Sequence, residues 1–288
     1  MKSNSWISFA IIAIIYGIAA FFGIFVYNQT DSSIFIKVLA GDAAATVTVY
    51  LFSLLFKNTS IYDPYWSVAP IIILPLLALQ SSDSGLGTVL MLTAVTTWGV
   101  RLTYNWAKTF KNLNIQDWRY DMLEQKSGKL FPLVSFLGIQ IFPTVVVFLC
   151  MLPAISFLQD DAFNYLTLVG FAICFLAILL QGISDFEMHE FRKRTHDKTM
   201  IMREGLWKNC RHPNYLGEIL MWWGVFIIMM SSQPSKYYLA AGPLVNTLMF
   251  LFISIPMAEK RLASYKKNFD EYVKETRKLI PLPKSLFK

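Results

Sequence analysis

Residues 205–218 read GLWKNCRHPNYLGE and place several polar side chains at the start of an apolar segment. These polar residues are Arg211, His212, Asn214, Tyr215 and Glu218. Polar groups at the beginning of a membrane helix are costly, so we expect them to be functional. Pro213 suits the first turn of a helix, which would place Arg211 and His212 just before the amides of its positive end. The stretch therefore favours an anion at this helix start.

The composition indicates a membrane protein. Of 288 residues, 55% are hydrophobic, 15% aromatic and 16% charged, and the mean hydropathy is +0.45. These values are typical of a polytopic protein, and they predict an all-α membrane helical bundle.

Apolar runs long enough to span a bilayer, about 20 residues each, mark six helices. They lie near 6–27, 34–56, 86–107, 133–155, 162–183 and 238–256. Two shorter runs lie near 62–79 and 215–231. We predict eight spans, with seven or nine possible because Pro64, Pro70 and Pro75 make the third run irregular.

The basic residues predict the orientation. With an even number of spans, all of the 26 Lys and Arg except Lys37 and Lys236 fall on the side of both termini. This asymmetry places both termini in the cytoplasm, of either a bacterial inner membrane or the endoplasmic reticulum. The net charge of +7 is therefore a topology signal, and we expect no nucleic-acid partner because no basic domain stands outside the spans.

Metal and disulfide chemistry are not expected. Cys150, Cys174 and Cys210 share no metal-like spacing. Asp185 and His189 are four residues apart, but no third ligand stands at metal spacing. The chain is interpreted as one integral membrane domain over 1–288, and the sequence leaves its oligomeric state open.

Polar residues also lie at the ends of the apolar runs 162–183 and 238–256. At the end of the run 162–183 they come at steps of four, four and three, namely Gln181, Asp185, His189 and Arg192. This spacing predicts one polar stripe on a helix that continues past the membrane. The tail after the last run is basic and aromatic from Lys260, Arg261 and Tyr265 onward, as in an amphipathic helix on anionic lipid.

The N-terminal half offers a second polar group near the cytoplasmic boundary. In the run 62–70, YDPYWSVAP, Asp63 either caps a helix before Pro64 or faces a substrate, and Tyr65 belongs to an aromatic belt. Arg101 and Tyr104 lie three apart on one helix face. Asp42 is interpreted as a local cap or a helix–helix hydrogen bond rather than a site.

These residues resemble the membrane-bound steroid 5α-reductase and sterol C14-reductase group, and most closely its DUF1295 branch. The N-[FY]-x-G-[ED] core of that group is similar to Asn214 through Glu218. The spacing from Tyr265 through Tyr272 to the Ile280-Pro281 end is also similar. The resemblance is specific over about 181–283 and weaker over 63–119.

The resemblance implies that the half 131–288 binds NADPH at its cytoplasmic end. The implied contacts are Asp185, Arg192, Asn214, Glu218 and Tyr265, with Arg211, His212 and Tyr215 from the sterol-reductase version of the motif. It also implies a substrate-carbonyl donor at Asp63, within the N-terminal spans 1–130. The partner tyrosine of the steroid reductases has no clear counterpart, and Arg101 and Tyr104 are merely nearby.

We therefore expect NADPH-dependent reduction of an activated C=C bond in a steroid-like or other lipid-soluble substrate. Donors at the substrate carbonyl would come from Asp63, Tyr65, Arg101 and Tyr104. Cations facing the phosphates would come from Arg192, Arg211, His212 and, from the tail, Lys260 and Arg261.

Two alternatives remain open. The Arg-His-Pro-x-Tyr pattern is shared with isoprenylcysteine carboxyl methyltransferases, which bind S-adenosylmethionine. Those enzymes typically carry a Glu-Glu pair after the last span, where this chain has Glu259 followed by Lys260. A channel or transporter is the second alternative, although its polar residues would line a path rather than gather at one membrane face.

Overall fold

The computed structural model describes residues 4–81 and 84–283, which are helical and contain no strand. The α-helices are α1 Ser5–Gln29, α2 Ile34–Phe56, α3 Tyr65–Gln80, α4 Leu86–Thr109, α5 Trp118–Ser127, α6 Phe131–Val134, α7 Phe142–Phe157, α8 Tyr165–Arg194, α9 Pro213–Met230, α10 Ala241–Met249, α11 Ile255–Tyr265 and α12 Phe269–Glu275. Short 3-10 helices cover Thr59–Tyr62, Gly128–Leu130, Gly205–Lys208 and Pro234–Ala240. Two π-helical segments, Ser135–Ile141 and Phe250–Ser254, continue the α-helices beside them.

Seven helical segments of the described chain are long and apolar enough to cross a membrane. They are Ser5–Gln29, Ile34–Phe56, Thr59–Gln80, Leu86–Thr109, Trp118–Phe157, Tyr165–Arg194 and Pro234–Tyr265. This confirms the predicted all-α polytopic helical bundle. The predicted span 215–231 corresponds to α9, an 18-residue helix that is not among the seven. The orientation of the termini, which depends on an even number of spans, stays a prediction.

The third span, Thr59–Gln80, is irregular at Pro64 and continuous at its other two prolines. A turn at Asp63 and Pro64 separates the 3-10 helix Thr59–Tyr62 from α3, which then runs without a break through Pro70 and Pro75. The predicted irregularity is therefore confined to the start of the span. Membrane helices accommodate interior prolines because neighbouring groups satisfy the freed backbone.

The chain forms two compact units, and the first contains residues 1–82 and 95–159. In this unit α1 packs along α2, and a glycine from each helix, Gly23 and Gly41, lies at the contact. A Cβ on Gly23 would lie 2.9 Å from the Gly41 carbonyl oxygen, and a Cβ on Gly41 2.8 Å from that of Gly23. The two backbones therefore cross closely only because both positions are glycine. Helices α2 and α3 also contact α7.

A loop after α4 closes the core of this first unit. Leu113, 2% exposed, belongs to the same apolar cluster as Ile15 and Val49. The Asn58 side-chain amide donates to the Leu113 carbonyl at 2.8 Å. These contacts fix the loop that leads into α5, which carries Tyr120.

The second unit contains residues 83–94 and 160–288. Its main contact is α8 along α9, which again depends on glycine. A Cβ on Gly217 would lie 2.7 Å from the Ala177 carbonyl, and a Cβ on Gly224 2.5 Å from the Cys174 sulfur. Helix α8 runs to Arg194, so the prediction that this helix continues through the polar stripe from Gln181 to Arg192 is confirmed. The polar stripe and residues 205–218 thus lie on neighbouring elements of one unit.

Candidate functional site

The stretch 205–212 is attached to α8 before α9 begins. Gly205 has a left-handed backbone (φ +53°), and the next amide, of Leu206, donates to Glu187 Oε2 at 3.0 Å. A side chain at Gly205 would collide with Glu187. The Trp207 indole donates to the Ser184 carbonyl at 3.1 Å. Helix α9 then begins at Pro213, as the sequence predicts.

Glu259 on α11 binds both basic residues that precede α9. Its Oε1 accepts from Arg211 Nε at 2.7 Å and lies 3.1 Å from His212 Nε2. Arg211 is 7% exposed and His212 4%. Glu259 was not among the predicted site residues, although an acid that follows the apolar run 238–256 by three residues indicates a paired charge. The structure therefore places Arg211 and His212 in a buried ion-pair cluster.

The C-terminal tail completes that cluster. Arg211 Nη1 donates to the Thr276 carbonyl at 2.7 Å and to the Val273 carbonyl at 3.3 Å. The Tyr272 hydroxyl donates to the Trp207 carbonyl at 2.6 Å. The Arg211 backbone amide donates to the Arg277 carbonyl at 3.0 Å. The tail thus fixes the loop before α9.

Burial dominates the ionisation of the groups in this loop. It raises the pKa of the Cys210 thiol to about 11 and raises that of Tyr272. It lowers the pKa of His212, and the carboxylate of Glu259 opposes this effect. The His212 ring stacks on Tyr215, with centroids 5.2 Å apart and planes at 9°. His212 is therefore favoured as a neutral, oriented ring.

An acceptor-rich cluster lies where α8 meets α9. Gln181 is fully buried, and its Nε2 donates to Glu218 Oε2 at 3.1 Å. Asn214 precedes Glu218 by one helical turn, so the two share a face. Gln181 Oε1 and Asn214 Oδ1 are both buried and accept no hydrogen bond from the described part of the chain. Buried acceptors need donors, so this cluster suits a ligand that carries N–H or O–H groups.

The outer part of the stripe is cationic. Asp185 is half-buried and Arg192 is exposed, both on α8. Lys266 follows α11, and its pKa is lowered by burial and then by the charge of Arg192. Two cations close enough to affect each other favour an anion between them. On α11, Arg261 is half-buried and Tyr265 is 41% exposed.

The predicted substrate residues Asp63, Tyr65, Arg101 and Tyr104 lie in the first unit. The Tyr120 hydroxyl donates to Asp63 Oδ1. The N-cap position of α3 is Pro64 rather than Asp63, so the cap interpretation of Asp63 is not supported. On α4, Arg101 is half-buried, and Tyr104 is 60% exposed with Lys108 Nζ 4.6 Å above its ring.

Tyr65 faces a different partner from Asp63. Its hydroxyl donates to Asp42 Oδ1 at 2.8 Å, which confirms Asp42 as a helix–helix hydrogen bond between α2 and α3. Both residues line a cavity of about 170 Å³ between α1, α2 and α3. Sequence analysis missed this cavity because the small residues that create it lie on three separate helices.

Comparisons with known proteins identify the family of the chain. The family model described as a protein of unknown function, DUF1295, matches residues 49–276. An uncharacterized protein of Schizosaccharomyces pombe is 27% identical over 201 residues, covering 59% of this chain and 57% of the relative. Human 3-oxo-5-alpha-steroid 4-dehydrogenase 1 is 27% identical over 163 residues, covering 54% of this chain and 58% of the relative. The chain thus spans less than two thirds of these curated relatives, and no solved structure matches it significantly.

The fold and the polar cluster define an all-α polytopic membrane protein with its polar residues gathered around residues 205–218. The chain belongs to the DUF1295 family.

Proposed function

We propose that this protein is an NADPH-dependent membrane reductase that reduces an activated C=C bond in a lipid-soluble substrate. The observation that carries the proposal is the buried acceptor cluster of Gln181, Asn214 and Glu218, in a DUF1295 chain that is similar to a 3-oxo-5-alpha-steroid 4-dehydrogenase. The cluster would hold the nucleotide through its amide or ribose donors, because Gln181 Oε1 and Asn214 Oδ1, left without donors, would each cost about 1–3 kcal/mol.

The phosphates would bind outward from this cluster. Arg192 on α8 and Lys266 after α11 are the proposed cationic contacts, and Arg261 lies on α11. Arginine suits phosphate oxygens because its planar donors match them in pairs. Asp185, half-buried on the same stripe, and Tyr265 at the end of α11 would contact the remainder of the nucleotide.

Arg211 and His212 take a modified role in this proposal. The charge of Arg211 is already balanced by Glu259, and the neutral His212 ring is hydrogen-bonded to the same carboxylate, so the two residues would position the N-terminus of α9 and Tyr215 rather than form an uncompensated cationic wall. The amides at that N-terminus remain suited to an anion.

Asp63 is the proposed donor to the substrate carbonyl. Asp63 with Tyr120 forms a carboxyl–phenol pair that could donate to a carbonyl oxygen on which negative charge develops. Tyr65, Arg101 and Tyr104 remain proposed contributors. When bound, NADPH supplies the hydride; the substrate also gains a proton, and a neutral carboxyl or phenol is a suitable source.

S-adenosylmethionine-dependent methyl transfer is the second candidate, and two observations favour it. Arg211 is neutralised by Glu259, the acid at the position where the methyltransferases resembled carry their Glu-Glu pair. The acceptor cluster around Glu218 would also suit a positively charged ligand. The cation pair Arg192–Lys266 favours the nucleotide phosphates instead.

We also propose that both termini are cytoplasmic, since all but two of the 26 basic residues then share their side. Reporter fusions at Gln159 and at each terminus test this. Gln159 on the same side as both ends contradicts the layout.

Deuteride transfer tests the reductase directly. Purified protein is incubated with NADPH deuterated at its transferable position and a panel of lipid-soluble enones, and products are analysed by mass spectrometry. A saturated product carrying one deuterium is the expected result. Methyl transfer from labelled S-adenosylmethionine, with no deuterated product from any enone, would contradict it. Asp63→Asn should lower turnover while leaving nucleotide affinity within about twofold, because Asp63 is placed on the substrate side.

A further inference from the structure

We propose that the cavity between α1, α2 and α3 is a binding site for a membrane-soluble lipid that carries a hydroxyl group. The cavity shares Tyr65 with the proposed substrate residues, but the inference rests on the cavity and Asp42 and does not depend on the reductase assignment. The polar end of this α1–α3 cavity is formed by Tyr16, Asp42 and Tyr65.

The cavity has a shape that suits an elongated apolar molecule. It extends along α1 from Tyr16 to Tyr27, a distance of about 16 Å at the rise of an α-helix. Its volume is about 170 Å³, comparable to the apolar cavity of ~150 Å³ that binds benzene in an engineered protein. It therefore admits one ring or a short stretch of hydrocarbon together with a polar end.

Small residues make this space, and one side faces the lipid. Ala20, Gly23 and Ala69 lie in the wall. Ile24 also lines the cavity and is 42% exposed, so a molecule dissolved in the bilayer can enter beside it. At the far end the Tyr27 hydroxyl donates to Gln80 Oε1 at 2.9 Å, and this satisfied pair needs no ligand.

The inner end, in contrast, has unused hydrogen-bonding capacity. Asp42 is 4% exposed, and only its Oδ1 receives a side-chain hydrogen bond, from Tyr65, among the described residues. The Tyr16 hydroxyl is already committed to the Ile61 carbonyl at 2.7 Å. Asp42 Oδ2 is therefore the open acceptor of the α1–α3 cavity.

A hydroxyl group fits this end best. It can donate to a carboxylate oxygen, and it can accept from a neutral carboxyl group, so it satisfies Asp42 in either form. An ether can only accept, and an apolar tail leaves Asp42 Oδ2 without a donor inside the membrane, which is costly. Bilayer lipid alone therefore does not account for an acid at this position.

Photolabelling tests the site. Three probes share one C16 chain with a mid-chain diazirine and end in a hydroxyl, a methyl ether or a primary amine. The alcohol should label peptides of α1–α3 several-fold more than the ether, because the alcohol pairs with Asp42 in both protonation states whereas the ether pairs only with the neutral carboxyl. Asp42→Asn should reduce this preference. Equal labelling by the alcohol and the ether would overturn the proposal in favour of simple lipid contact, and a preference for the amine would overturn it in favour of a cation.

Filling the cavity gives a second test that leaves the acid intact. Ala20→Phe should abolish preferential labelling by the alcohol, whereas Ala13→Phe, an exposed position of the same helix, should not. Retained preference in Ala20→Phe would overturn the location. NADPH affinity measured on both variants stays unchanged, so failure here is distinguishable from failure of the reductase proposal.

Discussion

Glu259 should stabilise the loop 205–212 before α9 more than an exposed acid does, and Glu259→Ala tests this. The substitution removes the partner of Arg211, whose side chain is 7% exposed and whose Nε bond to Glu259 is 2.7 Å long. Breaking a buried pair leaves an uncompensated charge and costs about 3–5 kcal/mol. Because the Glu259 side chain is 21% exposed, water offsets part of this cost, and we expect about 3 kcal/mol. Glu259→Gln keeps a neutral acceptor and should cost about 1–2 kcal/mol.

The free energy of unfolding in detergent, from denaturant titration, measures both effects. Glu204→Ala is the matched control, since its pair with Arg194 is equally short at 2.8 Å but 58% and 61% exposed. Exposed pairs contribute about 0–1 kcal/mol. If Glu259→Ala is no more harmful than Glu204→Ala, Arg211 is not held as the structure indicates, and the argument for an assembled loop before α9 is wrong.

Three further predictions concern stability. Gly217→Ala should cost about 1–3 kcal/mol, because its Cβ would lie 2.7 Å from the Ala177 carbonyl, while Gly182→Ala, which has open space, should not destabilise; equal unfolding free energies would refute the close α8–α9 contact. Tyr272→Phe should cost about 1–2 kcal/mol through its lost bond to the Trp207 carbonyl, and thermal unfolding should show no comparable loss for the exposed Tyr265→Phe. Burial lowers the pKa of His212 in the folded protein, so on acidification the unfolded protein takes up the proton first. The free energy of unfolding should therefore decrease as pH drops below about 6.5; an equally steep decrease in His212→Gln would contradict this.

The sequence predicted the parts of this fold that depend on local pattern. Apolar runs located the helices, and the spacing from Gln181 to Arg192 predicted that α8 continues to Arg194. Pro213 likewise predicted the start of α9. These features follow from residues close together in the chain, where hydrophobicity and helical period decide the structure.

Contacts between distant residues could not be predicted in the same way. Glu259 meets Arg211 across 48 positions, and Asp42 meets Tyr65 across 23. Such pairs depend on which helix faces pack together, and a single sequence does not specify this. The continuity of α3 through Pro70 and Pro75 also depends on surroundings, since proline in isolation predicts a break.

If the second unit binds NADPH, calorimetric titration of the detergent-solubilised protein should detect the binding. NADPH, NADH and S-adenosylmethionine are titrated into the unmodified protein and into Arg192→Ala, with Arg194→Ala, an exposed arginine of the same helix, as control. We expect NADPH to bind roughly tenfold to several thousandfold tighter than NADH, since one or two charged hydrogen bonds of about 1.5–3 kcal/mol each would hold its extra phosphate. Arg192→Ala should remove much of that preference. Tight binding of S-adenosylmethionine, with no NADPH binding and no effect of Arg192→Ala, would contradict the reductase account.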